Sequence, residues 1–183
     1  MKALVVIDYI NEITHPEGKL SGKGYTDFIK ESDTFTYLND LILRFREEKN
    51  LIIFVKVAFK EDYSDHPTSS PLFGKAKEFN ALQNDTWATE FNGQLGVQED
   101  DLIVTKNRVD AFHNTDLLEI LRQNNITDVH IAGVATDLAV EAVARTAHDN
   151  DFLVTIESQA CAAANKEDHE NSLATMSKIA VIK

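Results

Sequence analysis

The chain has 183 residues, 43% of them hydrophobic, and a formal net charge of −12. This fits one globular domain, residues 1–183, and the acidity argues against a nucleic-acid partner, because phosphate binding needs clustered Lys and Arg. A single cysteine, Cys161, excludes an intramolecular disulfide and fits a reducing compartment. Only five apolar residues precede Asp8, too few for a signal peptide or a membrane span, so we expect a cytoplasmic protein without a membrane partner.

Short β-branched runs alternate with helical patterns along the chain. Nearly continuous apolar runs predict buried strands, with a last short one at the C-terminus: 3–7, 51–57, 102–105, 129–133, 152–156 and 180–183. Apolar residues at helical spacing predict four helices: 33–50, 115–125, 137–150 and 167–180. The alternation favours an α/β fold, a doubly wound, Rossmann-like, mostly parallel sheet of five to six strands with helices on both faces.

Residues 58–100 interrupt this alternation with a segment far longer than a usual connection. Loops of this length inside a compact domain are usually lids or binding loops. The lone tryptophan, Trp87, lies in this segment among polar residues. Two interpretations of Trp87 stay open: it forms a wall of a substrate pocket, or it anchors the loop to the core.

Polar groups follow three of the predicted strands. Asp8 follows the first strand, Lys106 the third, and a turn leading into the helix near Ala139 the fourth. Ligands of open α/β sheets bind at the carboxyl ends of the strands, so we expect these groups to converge on one crevice. A helix N-terminus and a lysine there would favour a thiolate, and a carboxylate could move its proton. Judged by position alone, Asp8 and Lys106 could equally well form an ion pair with a purely structural role.

Other chemistries have little support. The six histidines show no spacing typical of metal ligands, and no glycine-rich phosphate-binding motif is present. We therefore expect no metal ion and no nucleotide cofactor. Cys161 follows another predicted strand, and a small core residue is favoured over a nucleophile at that position.

Three stretches resemble the isochorismatase-like cysteine hydrolase superfamily, which includes nicotinamidases, isochorismatases and related amidohydrolases. They are ALVVIDYINE, VTKNRVDAFHNTDLLEILR and HIAGVATDLAVEAVARTAHDNDF, and together they span nearly the whole chain. The last stretch resembles the nucleophile segment of the family, G-V-x-T-D-x-C-V. The resemblance implies hydrolysis of a C–N bond in a small amide, lactam or ureido compound through an Asp-Lys-Cys triad.

Carried over to this chain, the triad places the general acid–base at Asp8 and a supporting cation at Lys106. Position 139 is the nucleophile position. The resemblance also implies a cis peptide bond between Val134 and Ala135. The backbone N–H groups of Ala135 and Ala139 would then form an oxyanion hole.

The chain departs from the family pattern at position 139, where Ala replaces Cys. A methyl group cannot attack a carbonyl carbon, so this chain cannot form the thioester. The intact Asp8, Lys106 and GVATD turn favour a laboratory substitution over a natural, catalytically dead binding homologue. An isochorismatase-type vinyl-ether hydrolase stays open as an alternative, because that reaction does not need the thiol.

The expected pocket and assembly also come from the resemblance. Ile10, Trp87 and Phe112 are expected to line the substrate pocket, with Ile10 where the family often has Gln. Family members usually form homodimers or homotetramers, and the loop 58–100 could complete the pocket at a subunit contact.

The region after the second strand corresponds to the part of nicotinamidases that contains their metal ligands. It places Lys56 and Phe59 near the positions of the nicotinamidase metal ligands, with the adjacent Asp65 and His66 further on. Adjacent residues are poorly placed to bind one ion. We interpret the chain as a metal-independent branch of the family and do not expect nicotinamide to be its substrate.

Overall fold

A computed structural model describes all 183 residues of the protein. Its six strands are β1 (Lys2–Ile7), β2 (Leu51–Val57), β3 (Leu102–Lys106), β4 (Asp128–Val134), β5 (Leu153–Ala162) and β6 (Val181–Ile182). They form one sheet in the order β3-β2-β1-β4-β5-β6, and every neighbouring pair is parallel. The chain runs outward from β1 to β3 and then crosses to the other side with β4. The strand order therefore reverses between β1 and β4, where ligands of doubly wound folds bind.

Six helices cover the two faces of the sheet: α1 (Asn11–Thr14), α2 (Tyr25–Glu31), α3 (Thr34–Glu47), α4 (Leu117–Gln123), α5 (Glu141–Asp149) and α6 (Lys166–Met176). Alternate residues of β1 point to opposite faces. Val5 and Ile7 pack in one core with α4, α5 and α6, whereas Leu4 and Val6 pack in a second core with α2 and α3. The predicted doubly wound α/β fold is confirmed. None of the helices combines the length and apolar character that a membrane crossing requires.

Several elements differ in extent from the prediction. β5 continues to Ala162 instead of ending at residue 156, because a register shift against β4 lets it pass the polar residues Ser158 and Gln159. The predicted helix 137–150 is divided into a π turn, Thr136–Val140, and α5. The helices α1 and α2 have only four and seven residues, too few for a periodic signal in the sequence.

The long segment 58–100 forms its own small core. It contains no strand and one 3₁₀ turn, Trp87–Thr89. Its apolar side chains pack against Ile10 and Val57, at the ends of the first two strands, in a third cluster that also contains Phe59, Tyr63, Phe73, Ala76, Ala81 and Leu82. The segment is therefore a packed part of the domain that extends the sheet edge where the ligand crevice lies.

A buried carboxylate ties this segment to the residues after β1. Glu12 is 1% exposed, and its two carboxylate oxygens accept hydrogen bonds from the N–H groups of Lys19 and Leu82, both at 3.2 Å. The Lys19 ammonium donates to the carbonyl of Asn80 at 2.6 Å. These bonds hold the two segments together, since breaking them would leave a buried charge without partners.

Close packing at Gly133 yields the first testable prediction. A Cβ atom there would lie 2.8 Å from the Ile7 Cβ and 2.9 Å from the Val140 Cγ2. We expect Gly133→Ala to push β4 and the following turn away from β1 and to lower the free energy of unfolding by about 1–3 kcal/mol, measured by chemical denaturation. Gly93→Ala is the matched control, because a Cβ there meets nothing within 4 Å. Equal stability of the two variants would contradict the prediction.

Candidate active site

Asp8 lies at the carboxyl end of β1, beside the point where the strand order reverses. Its N–H still donates to the Val55 carbonyl of β2 at 2.8 Å, but its backbone is left-handed, with φ of 59°. This conformation is uncommon for residues other than glycine, although aspartate adopts it more readily than most. The chain thus turns away directly after the strand, and the Asp8 side chain lines a cavity at the end of the sheet.

Lys106, the last residue of β3, forms a buried ion pair with Asp8. Its Nζ lies 2.8 Å from the Asp8 Oδ2, and the two side chains are 1% and 5% exposed. The same Nζ donates to the carbonyl oxygens of Arg108 at 3.1 Å and Val109 at 2.9 Å. An ammonium group has three donors, so all of those on Lys106 are engaged. The Asp8 Oδ1, in contrast, is buried and has no hydrogen-bond partner in the protein.

Burial raises the pKa of the Asp8 carboxyl, because the loss of water disfavours its charged form, and the Lys106 ammonium opposes this effect only in part. A carboxyl group with a raised pKa keeps its proton to higher pH. Such a group can donate the proton to a bound molecule and later recover it.

The turn after β4 forms the facing wall of the cavity. The peptide bond between Val134 and Ala135 is cis. The Ala135 carbonyl accepts hydrogen bonds from the N–H groups of Leu138 at 3.2 Å and Val140 at 3.1 Å, whereas the Ala135 N–H donates to no group of the chain. Ala139 is buried and lines the cavity together with Ala135. The turn therefore presents a free backbone donor and a methyl group beside Asp8.

Side chains of α6 form hydrogen bonds with this turn and with the first residue of α5. The Thr136 Oγ1 lies 2.8 Å from the His169 Nδ1, and the Ser172 Oγ lies 3.1 Å from the Thr136 carbonyl and 2.8 Å from the Glu141 carboxylate. Burial lowers the pKa of the His169 ring and favours its neutral form. The sequence analysis did not identify these residues, because no motif links them to a turn more than thirty positions earlier in the chain.

The cavity between these groups is small and mostly apolar, with a volume of about 60 Å³. Pockets for drug-sized ligands measure roughly 300–1,000 Å³. It therefore accommodates a small compound or the reacting end of a longer one. The remaining lining comes from the strand ends, the residues after β1 and the segment 58–100: Ile13, Leu20, Lys23, Tyr25, Val57, Leu72, Phe73, Leu82, Val109, Val134 and Leu138.

None of the three residues expected in the pocket wall, Ile10, Trp87 and Phe112, is in the lining of this cavity. Ile10 is fully buried in the third cluster, and Phe112 packs on the core shared by α4, α5 and α6. The Trp87 ring meets the His15 ring edge-on at 5.1 Å, and its carbonyl accepts a hydrogen bond from Asn11. Trp87 is 44% exposed and thus links the long segment to α1 and the residue after it, and does not pack into the core.

Cys161 does not belong to this site. It lies inside β5, is 1% exposed, and its Sγ faces the Ile131 carbonyl at 3.8 Å. Burial raises the pKa of its thiol to about 12, so the reactive thiolate is not available near neutral pH. Cys161 is a small core residue, as expected.

The pair of Asp8 and Lys106 thus lies at the reversal point of a parallel sheet, where doubly wound α/β proteins bind their ligands. The chain matches the isochorismatase domain family over residues 2–182 and belongs to this family of hydrolases. The uncharacterized isochorismatase family protein YwoC of Bacillus subtilis is 32% identical over 153 residues, 82% of this chain and 78% of that protein. The isochorismatase family protein YecD of Escherichia coli O157:H7 is 30% identical over 136 residues, 73% of this chain and 69% of that protein. The crystal structure of pyrazinamidase from Pyrococcus horikoshii in complex with zinc superposes with a TM-score of 0.82 at 27% identity, covering 100% of this chain and 98% of that one.

The zinc in the Pyrococcus structure prompts the question of whether this chain can hold a metal ion. No three His, Cys, Asp or Glu side chains of this chain come together as ligands of one ion. The Asp65 carboxylate accepts hydrogen bonds from the Lys60 N–H and the Asn107 side chain, and the His66 Nδ1 lies 2.6 Å from the Tyr63 carbonyl. These groups are engaged within the protein and do not fit a zinc site.

The ion pair yields the second prediction. Lys106→Met removes the charge that lowers the pKa of Asp8 and leaves burial as the dominant influence. We expect the pKa of the Asp8 carboxyl to rise further, measured by NMR titration of ¹³C-labelled aspartate. Lys30→Met, which removes an exposed charge from α2, is the control and should leave the Asp8 titration unchanged. A lower pKa of Asp8 in the Lys106 variant would contradict this account of the pair.

Proposed function

We propose that this chain hydrolyses a small vinyl ether by general acid catalysis at Asp8, without a covalent enzyme intermediate. The observation that carries the proposal is the Asp8 carboxyl in the cavity wall: Lys106 holds one of its oxygens, and the other is buried without a hydrogen-bond partner. Position 139 offers only a methyl group, so the turn has no nucleophile to attack a carbonyl. Hydrolysis of a vinyl ether requires only a proton donor and a water molecule.

In the first step, the protonated Asp8 donates its proton from Oδ1 to the terminal vinylic carbon. The C=C π electrons form the new C–H bond, and the ether carbon becomes part of an oxocarbenium ion. The Asp8 carboxylate that results is stabilised by Lys106 at Oδ2. The apolar walls keep other water away from this charge and so strengthen its attraction to the cation.

In the second step, a water molecule adds to the oxocarbenium carbon, and the Asp8 carboxylate takes one of its protons. The hemiketal that results breaks its bond to the alkoxy group. Its hydroxyl proton moves to the departing oxygen, which leaves as an alcohol. A carbonyl compound remains, one water molecule has been consumed, and Asp8 is protonated again. Lys106 positions Asp8 throughout and, with all its donors engaged, does not need to contact the substrate.

Hydrolysis of a C–N bond through a thioester is the second candidate. The unpartnered N–H of Ala135, next to Ala139 in the cavity wall, favours it, because a free backbone donor can stabilise the oxyanion of an acyl-transfer reaction. In this reaction Asp8 would accept the proton of a thiol at position 139. The candidate therefore requires cysteine at that position and applies to a form of the chain that carries it.

The third prediction concerns Asp8. Asp8→Asn has nearly the same shape but cannot donate the proton, so we expect kcat/KM for a vinyl ether to fall by about 10²–10⁴-fold. Because the protonated carboxyl is required, the rate of the native chain should decrease as the pH rises through the raised pKa of Asp8. The measurement is the rate at which the carbonyl product forms from each member of a panel of small vinyl ethers that includes isochorismate. Asp116→Asn, which changes an exposed carboxylate outside the cavity, is the control. Full activity of the Asp8 variant would exclude the proposed role.

The fourth prediction separates the two candidates. Because the chemistry of the first candidate lies at Asp8, we expect Ala139→Cys to keep vinyl-ether hydrolysis, and Ala139→Ser serves as the matched control of similar size. If instead ammonia or amine release from an amide panel appears in the cysteine variant alone, and neither form hydrolyses a vinyl ether, the second candidate replaces the first. Ligand binding without turnover in any form would identify a catalytically inactive binding homologue.

A further inference from the structure

Three ionisable side chains line the cavity, and two of them are paired with each other. Asp8 and Lys106 form the buried ion pair at 2.8 Å. The third, Lys23, ends the 3₁₀ turn Ser21–Lys23, is exposed, and makes no side-chain hydrogen bond or ion pair within the chain. Since Asp8 and Lys106 are buried, Lys23 marks the solvent side of the cavity. The cavity therefore has an unpaired ammonium group, that of Lys23, at its entrance.

A second free donor lies two residues further along the chain. The Tyr25 side chain lines the same cavity, and its hydroxyl makes no hydrogen bond within the protein. Burial, together with the negative charges of Asp137 and Asp168, raises the pKa of this hydroxyl. It therefore keeps its proton at neutral pH and remains a donor. The two aspartates themselves do not line the cavity.

We propose that Lys23 and Tyr25 bind a carboxylate of the substrate, and that the substrate is a small apolar monocarboxylate. A carboxylate accepts hydrogen bonds from an ammonium and a hydroxyl group, and the charged bond is the stronger of the two. The wall between the entrance and Asp8 is apolar, with Ile13, Leu20 and Leu138, and suits a short hydrocarbon part. A second carboxylate would be left against that wall without a partner, which is unfavourable.

This substrate class rests on the proposed function for the bond that is broken, but the anion site can be tested without turnover. The probes are isobutyrate and isobutyramide, which share a shape and differ in charge. We expect the native chain to bind isobutyrate about tenfold more tightly than isobutyramide, as one charge-assisted hydrogen bond allows. The measurement is an NMR titration that follows the backbone amide signals of Ala135 and Ala139.

Substitutions at the two donors locate the site. Lys23→Met should weaken isobutyrate binding about tenfold and isobutyramide binding by less than about twofold, whereas Lys23→Arg keeps the preference. Tyr25→Phe, which removes only the hydroxyl, should weaken isobutyrate binding about threefold. Lys30→Met, which lies on α2 outside this cavity, should change neither affinity.

Equal binding of the two probes, no isobutyrate binding at the cavity, or an equal loss of both probes in Lys23→Met would overturn the proposal. The result is independent of catalysis, because isobutyrate has no bond to be hydrolysed. A chain that prefers isobutyrate but hydrolyses no vinyl ether would reject the proposed function and keep the anion site. A chain that hydrolyses vinyl ethers without this preference would reject the anion site alone.

Discussion

The ion pair between Asp8 and Lys106 is the interaction on which the rest of the site depends. A buried pair loses the hydration of both charges, and the structure keeps it only if the remaining donors and acceptors find partners. Lys106 meets this condition, because the Arg108 and Val109 carbonyls take the two donors that Asp8 leaves. Asp8 does not, since its Oδ1 has no partner. All donors of Lys106 thus have partners, whereas Asp8 keeps one acceptor that no group of the chain occupies.

The topology of the sheet explains why these groups meet. β1 and β4 are neighbours in the sheet, so Asp8 and the turn at Ala135 lie on either side of the reversal point. β3 is two strands from β1, and its last residue pairs with Val57 of β2. A long side chain is needed to cross the end of β2, which lysine provides. Gly133 completes the arrangement, because the lack of a side chain there lets β4 and the turn lie close against β1.

The strands and the convergence of Asp8 and Lys106 could be predicted because both follow from local sequence patterns. Apolar runs mark buried parallel strands, and polar residues directly after these runs lie at one edge of the sheet. The cavity wall could not be predicted in this way. Leu72 and Phe73 come from a segment without hydrophobic periodicity, and only its packing on the strand ends brings them to the cavity. The role of Trp87 could not be predicted for the same reason, since the position of its ring depends on a tertiary contact with His15.

The residue at position 139 and the surroundings of Asp8 both favour proton donation over a thiol mechanism. A thiol mechanism needs an ionised aspartate to accept the thiol proton, whereas proton donation to a substrate needs the neutral acid. Burial raises the pKa of Asp8 and so shifts it toward the neutral acid, and the three donors of Lys106 are engaged by Asp8, Arg108 and Val109. With Ala139 in the wall, no thiol is present whose ionisation would require the opposite. Under the proposed function, the methyl group at position 139 excludes the thioester reaction but not proton transfer from the buried carboxyl of Asp8.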